Sequence, residues 1–194
     1  MKAALASAWT AALLGAVASF SGCMSAPLVR ETPEAIELLD VEVATEPLAR
    51  ALLAEVRGVR TVSLEGTWNN DNTFSAECVL KGADDALTAV FLAPQMRLAT
   101  LRLRRPCSLE WDRSPFVPEA FQPEYAIFDL AVFHLPVIVL RRALGPSFSV
   151  DEAGGVRRVT RRGAPVVSVT SLPDGGTKLE NFLWKYEYVA REMQ

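Results

Sequence analysis

The chain is poor in the side chains that most enzymes use for acid–base or metal chemistry. Among its 194 residues it has one histidine, His134, and three cysteines. A zinc site of the usual kind would need most of these ligands to converge, and a Ser-His-Asp triad would have only His134 as its base. His134 lies within an apolar run, where a core histidine is the commoner interpretation. The sequence therefore predicts a non-catalytic protein with no metal site and no cofactor.

Two of the cysteines, Cys78 and Cys107, leave two alternatives open. A disulfide between them would close a loop of about 30 residues and stabilise the fold by roughly 3–4 kcal/mol. In the other alternative Cys78 is a small buried side chain, and Cys107, which follows Pro106, is an unpaired thiol in a turn. Their spacing is not that of a CxxC motif, so it gives no indication of a redox enzyme.

The third cysteine, Cys23, follows a segment typical of secreted proteins. A lysine at position 2 precedes an Ala- and Leu-rich run that is too short to span a membrane comfortably. The motif Phe20-Ser21-Gly22-Cys23 resembles a bacterial lipobox, in which the cysteine is lipidated and becomes the mature N-terminus. The alternative is an ordinary signal peptide cut near Ala18 or Gly22, with Cys23 an incidental thiol.

The lipobox divides the chain into three parts. We expect residues 1–22 to be a signal peptide, 23–30 a lipidated tether and 31–194 a single domain. Met24 stands where an aspartate would resemble an inner-membrane retention signal. The resemblance therefore implies attachment to the outer membrane, at its periplasmic face.

Composition and charge narrow the classes of partner. Half of the residues are apolar, which excludes a disordered chain, and the formal net charge is only −3. This balance gives no electrostatic reason to expect nucleic acid as a partner.

Paired arginines such as Arg157 and Arg158 usually lie on a solvated face. The alternative is that these two contact an anionic headgroup through their guanidinium groups.

The apolar periodicity predicts helices first and an antiparallel sheet afterwards. Leu48, Leu52 and Val56 recur at helical spacing, with Thr45-Glu46-Pro47 restarting a pattern that begins after Pro33, and Gly58 ends it. From Arg60 the period becomes two, and short connections predict a meander of about five strands.

Residues 125–144 form a continuous apolar stretch that is not a membrane helix, because charged residues such as Asp129 and Arg141 interrupt it. We expect two buried segments: one over 124–133, and a helix that is opened by Pro136, carries Val137, Leu140 and Leu144 inward, and ends at Gly145. This pair would seal the core or form the lid of a pocket.

Three or four further strands are expected after residue 148. If residues 178–189 form one strand, four aromatic residues share one of its faces: Phe182, Trp184, Tyr186 and Tyr188. Such a row is most often part of a core. The alternative is that the rings line a groove for a hydrophobic ligand.

The order of elements resembles a family of uncharacterised bacterial outer-membrane lipoproteins, a domain of unknown function associated with aryl-polyene biosynthesis. The likeness spans about residues 60–189 and is carried by the segment 123–136, by Val139-Leu140 and Leu144, by Arg157-Arg158-Val159 and by the closing Tyr186 and Tyr188. It implies a fold similar to the LolA/LolB lipoprotein carriers, with an apolar cavity for acyl chains. No catalytic residue carries over.

Together these features predict an α+β fold: an open, curved antiparallel half-barrel with helices packed on its concave face. The predicted function is that of a lipid-anchored periplasmic protein of the outer membrane that binds a lipid, or an acyl- or polyene-linked ligand, without catalysis. The alternative is a scaffold that docks envelope transport proteins without a small ligand. The candidate cavity residues are Tyr125, Phe128, Phe133, Leu135, Val137, Leu140, Leu144, Phe182, Trp184 and Tyr186.

Overall fold

The computed structural model describes residues 35–68, 72–117 and 121–193, with side chains from residue 44 onward. The predicted signal peptide, Cys23 and the tether lie outside the described residues. The described part forms three helices and ten strands. The helices are α1 (Ala35–Glu55), α2 (Pro123–His134) and α3 (Val137–Leu144). The strands are β1 (Gly58–Trp68), β2 (Asn72–Gly82), β3 (Ala86–Ala93), β4 (Met96–Arg104), β5 (Ser108–Arg113), β6 (Phe148–Ala153), β7 (Val156–Arg161), β8 (Ala164–Ser171), β9 (Thr177–Asn181) and β10 (Tyr186–Glu192).

All ten strands belong to one antiparallel sheet, in the order β5-β4-β3-β2-β1-β10-β9-β8-β7-β6. Each half of the sheet is a simple meander, because its connections are too short for anything but antiparallel neighbours. The two halves join at the centre, where β1 pairs with β10 and Gly66 lies opposite Tyr188. The first five strands match the predicted meander, and the sheet is open and curved, so the predicted fold class is confirmed.

The helices form a second layer on the concave face. α1 contacts β3 and β4, α3 contacts β6, and α2 packs against α1. The side chains between α1 and these two strands are aliphatic and almost fully buried, and we call them the aliphatic layer: Leu48, Leu52, Leu53, Leu87, Leu101 and Leu103. Leu48 and Leu52 lie on the stripe that the sequence predicted. No helix of the described part of the chain is long and apolar enough to cross a membrane.

The predicted restart of the helix at Thr45–Pro47 does not produce a break. α1 runs continuously from Ala35 to Glu55 with Pro47 inside it. A proline in a helix removes one backbone hydrogen bond and crowds the preceding turn. Ala44, Leu48 and Leu52 lie on either side of Pro47 and are all buried, so tertiary packing holds the helix together across it.

The C-terminal part differs most from the sequence prediction. It contains five strands, and residues 178–189 form a hairpin instead of one strand. The chain reverses at Phe182–Lys185, where the Asn181 side-chain oxygen accepts a hydrogen bond from the Trp184 backbone N–H at 3.0 Å and Lys185 has a φ of 54°. Phe182 therefore does not share a strand face with Tyr186, and its side chain is 47% exposed.

Candidate functional site

A contiguous cluster of aromatic rings lies between α2 and the central strands, and we call it the aromatic layer. Tyr125 is stacked on Trp184 with ring centroids 3.8 Å apart, and Phe121 joins Tyr125 to Trp111 of β5 at centroid distances of 6.0 and 5.9 Å. Phe121 and Tyr125 therefore link β5 to the β9–β10 turn through a chain of ring contacts. The layer comprises Trp68, Phe74, Trp111, Phe121, Tyr125, Phe128, Phe133, Trp184, Tyr186 and Tyr188.

The rings nearest β10 form a parallel ladder. Trp184, Tyr186 and Tyr188 follow one another with centroids 6.4 and 6.2 Å apart and interplanar angles of 11° and 14°. Phe133 at the end of α2 continues the ladder at 5.9 Å from Tyr188. Tyr186 and Tyr188 share a face because side chains alternate along a strand. Ring pairs of this kind contribute about 0.5–1.5 kcal/mol each beyond the area they bury.

A glycine makes room for the ladder at the junction of β1 and β10. Gly66 is paired with Tyr188, and a Cβ atom at position 66 would lie 2.1 Å from the Glu187 carbonyl oxygen and 2.6 Å from the Tyr188 Cβ. Any larger residue would therefore push the two strands apart. Only glycine allows the close approach of this backbone to Tyr188.

A carboxyl group lies inside the aromatic layer. Asp129 of α2 is 9% exposed, and its Oδ2 accepts hydrogen bonds from the Tyr186 hydroxyl at 2.8 Å and the Tyr188 hydroxyl at 3.1 Å. The Asn181 side-chain amide donates to the Tyr186 hydroxyl at 3.2 Å. These bonds tie the middle of α2 to the centre of the sheet.

Burial changes the acidity of this group. It raises the pKa of Asp129 from its ordinary value to about 7, although the neighbouring side chains of Tyr186, Tyr188 and Asn181 act in the opposite direction. The pKa values of both tyrosines are raised for the same reason, burial first and the neighbouring Asp129 second. Asp129 is therefore a proton-exchanging group at neutral pH, held by two neutral hydroxyl donors.

The structure brings half of the ten candidate cavity residues together in the aromatic layer: Tyr125, Phe128, Phe133, Trp184 and Tyr186. Leu135, Leu140 and Leu144 are buried in the main hydrophobic core, Val137 packs against it, and Phe182 lies outside. Sequence reasoning missed the role of Asp129 and the participation of Trp68, Trp111 and Phe121. A lone carboxylate within the apolar run 125–140 was the signal available for Asp129.

The two arginines considered for headgroup contact do not act as a pair. Arg157 points toward α2, where its guanidinium donates to the carbonyls of Val132 and Leu135 at 2.6 and 2.8 Å and pairs with Glu152 at 2.7 Å. These bonds satisfy the C-terminal end of α2. Arg158, the next residue of β7, is exposed and points to the opposite face of the sheet.

Both described cysteines are free thiols, as in the second of the two alternatives. Cys78 is buried on β2, and Cys107 lies in the turn after β4. Two strand spacings, about 10 Å, separate β2 from β4, whereas bridged cysteines have Cα atoms within about 7 Å. Burial raises the pKa of the Cys78 thiol to about 12, so this thiol is unreactive.

His134 lies at the C-terminal end of α2, beside Phe133 of the aromatic layer. Burial, with a contribution from Arg60, lowers the pKa of its imidazole to about 4, so it is neutral at physiological pH. Within the described ranges, no three or more His, Cys, Asp or Glu side chains are grouped as a metal site would require.

An open depression of about 460 Å³ adjoins the layer at the end of the β1–β2 hairpin. Its lining combines Phe74, which contacts Tyr188, with Gly66 and four polar residues: Glu65, Thr67, Thr73 and Ser75. Phe74 is the member of the aromatic layer that this depression touches.

Residues 60–192 match a protein family, DUF3261, which is described as a protein of unknown function. The chain belongs to this family. The matched region holds α2, α3 and nearly the whole sheet, and therefore every ring of the aromatic layer, whereas α1 precedes it. No curated protein matches the chain. The matched region includes Asp129 and its hydroxyl donors, Tyr186 and Tyr188.

Proposed function

We propose that this DUF3261 protein is a non-catalytic binding protein of the cell envelope that holds a lipid, an acyl chain or a polyene-linked hydrophobic molecule. In this proposal Cys23 carries the lipid that anchors the chain at the periplasmic face of the outer membrane. The observation that carries the proposal is the aromatic layer. Its rings form a contiguous apolar surface, yet Tyr125, Phe133, Trp184 and Tyr188 remain partly exposed.

Partly exposed rings next to a buried polar group are typical of ligand sites, which are mostly apolar with a few well-placed hydrogen-bonding groups. Covering apolar surface with a hydrocarbon ligand is favourable by about 25 cal/mol per Å². The aliphatic layer does not offer such a surface, because Leu52, Leu87 and Leu101 are fully buried. We therefore place the ligand against the aromatic layer.

A second candidate function is that of a scaffold docking an envelope export machine. The sheet is open, with β5 and β6 at its two edges. An unpaired edge presents backbone donors and acceptors to which a partner strand can add. This candidate needs no small ligand, so a binding measurement separates it from the first.

A neutral fluorescent probe such as 1-N-phenylnaphthylamine tests the proposal in the full chain carrying Cys23→Ser, which removes the site of lipid attachment. We expect saturable binding at about one probe per chain, as for a single apolar site. A double variant, Tyr125→Ala with Trp184→Ala, should weaken binding at least about tenfold, because it removes the stacked pair.

Leu109→Ala is the matched control, since Leu109 of β5 is 40% exposed and is not part of the aromatic layer. This variant should bind the probe as the parent chain does. Absence of saturable binding, or equal binding in the parent chain and the double variant, would contradict the proposed function and favour the scaffold.

A further inference from the structure

Two polar atoms buried in the aromatic layer have no hydrogen-bond partner among the residues that the structure describes. They are the Oδ1 atom of Asp129 and the indole Nε1 of Trp184. Both belong to one ring cluster: Trp184 stacks parallel to Tyr186, whose hydroxyl donates to the other oxygen of Asp129. Phe128, the neighbour of Asp129 in α2, meets the Trp184 ring edge-on at 5.8 Å.

The two atoms have complementary hydrogen-bonding roles. A carboxylate oxygen accepts hydrogen bonds, whereas an indole N–H can only donate. Buried polar groups in folded proteins nearly always have a partner, because leaving one unpaired is costly. A hydroxyl or an amide can donate to Asp129 and accept from Trp184.

The surroundings select against charged groups. The described donors to Asp129 are the neutral hydroxyls of Tyr186 and Tyr188, so an incoming carboxylate or phosphate would face a buried acid. Such burial of like charges is strongly unfavourable. An ammonium group has no acceptor to offer Trp184.

We propose that the aromatic layer binds hydrophobic molecules whose polar end is a neutral hydroxyl or amide, with that end placed between Asp129 and Trp184. This inference rests on the proposed function and names the ligand class of the same site. The hydrocarbon part lies along Tyr125, Phe133 and Tyr188, the partly exposed rings of the layer.

Displacement of bound 1-N-phenylnaphthylamine from the full chain by 1-dodecanol, laurate and dodecylamine tests this selectivity. At pH 8 we expect dodecanol to displace the probe at a concentration at least about tenfold lower than laurate, since a hydrogen bond to a charged group is worth that much. Dodecylamine should also displace the probe only at a higher concentration than dodecanol does.

Asp129→Asn removes the charge while keeping the shape of the side chain, so the preference for dodecanol over laurate should fall below about threefold. Glu124→Gln is the matched control, because it removes one carboxylate from the first turn of the same helix and should leave the preference intact. Trp184→Phe keeps the stacked ring but removes the N–H. It should weaken the binding of dodecanol more than the binding of the probe.

Equal displacement by dodecanol and laurate, tighter displacement by dodecylamine, or a preference that persists in Asp129→Asn would overturn the inference while leaving the proposed function standing. If the probe itself does not bind to the parent chain, both the proposed function and the inference about ligand class are contradicted. A preference lost in Asp129→Asn and retained in Glu124→Gln supports the inference.

Discussion

The aliphatic and aromatic layers lie against the same face of one sheet but are built in different ways. Beneath α1 the described contacts are between leucines that are nearly inaccessible to solvent. Beneath α2 the contacts are between aromatic rings, several of them partly exposed, that surround a buried carboxyl group. The first arrangement maximises burial and packing, whereas the second gives up stability to keep hydrogen-bonding groups near an apolar surface.

The aliphatic layer thus stabilises the fold, whereas the aromatic layer is the surface that we propose binds a ligand. Substitutions in the aliphatic layer should change the free energy of unfolding without changing ligand preference. Substitutions of polar atoms in the aromatic layer should change ligand preference and stability together.

Leu52→Ala should cause the largest loss of stability. Leu52 is 0% exposed in α1, and truncating a buried leucine costs about 2–5 kcal/mol through lost burial and a residual cavity. Urea denaturation of the variant measures this loss. Ile138→Ala serves as the control, because Ile138 is 67% exposed and its truncation should change stability by less than about 0.5 kcal/mol. An equal loss in the two variants would contradict the packing of α1 described above.

Tyr186→Phe should cost about 1–3 kcal/mol, because it removes the hydroxyl that joins Asn181 to Asp129 and leaves buried polar atoms without a partner. A double-mutant cycle with Asp129→Asn separates this bond from the rest of the site. We expect a coupling free energy of at least about 0.5 kcal/mol between the two positions. Strictly additive effects would show that the bond does not contribute to stability.

The buried carboxyl group should make stability fall as pH rises. Since the pKa of Asp129 is raised from 3.8 to about 7 in the fold, the folded chain binds more protons than the unfolded chain between these values. Stability attributable to Asp129 is then complete below about pH 4 and is lost toward pH 7, with a slope of at most about 1.4 kcal/mol per pH unit. Tyr186, Tyr188 and Asn181 face the group and stay neutral in this range.

The comparison of the parent chain with Asp129→Asn isolates this effect from His134, whose lowered pKa acts in the opposite direction. His134 contributes stability that is present above its ordinary pKa of 6.5 and is lost as pH falls toward 4. It is common to both chains and cancels in their difference. A difference in stability that does not vary between pH 4 and 7 would contradict the assignment for Asp129.

Phe182→Ala should have the smallest effect. The ring lies in the β9–β10 turn and is about half exposed, so we expect a change in unfolding free energy below about 0.5 kcal/mol and unaltered probe binding. Had residues 178–189 formed one strand, Phe182 would share a face with Tyr186 and its loss would resemble that of a core ring. A loss of unfolding free energy above about 2 kcal/mol would contradict the turn and favour a single strand over residues 178–189.

Sequence patterns predicted the aliphatic layer well because burial and periodicity are directly related there. Leu48 and Leu52 recur at helical spacing and are buried, and the alternation from residue 60 onward predicted the first five strands. The helix opened by Pro136 was predicted for the same reason: it ends at Gly145, whose φ of 77° suits glycine.

The aromatic layer could be predicted only in part, because it depends on long-range register and on one unusual turn. The turn at Phe182–Lys185 contains no glycine or proline, and the alternating aromatics within the turn and after it imitate a continuous strand. The pairing of β1 with β10 brings Gly66 next to Tyr188 from the opposite end of the domain. No local pattern encodes such a contact, and for this reason the donors to Asp129 were missed.

The most direct test of the account is mass spectrometry of the organic extract of the chain, purified without detergent from its native envelope with Cys23→Ser to release it from the membrane. The account predicts about one equivalent of a hydrophobic molecule with a neutral hydroxyl or amide end, retained in Leu109→Ala and lost when Tyr125 and Trp184 are both replaced by alanine. An extract without a stoichiometric hydrophobic molecule, or one unchanged in that double variant, would contradict the claim that the aromatic layer is a ligand site.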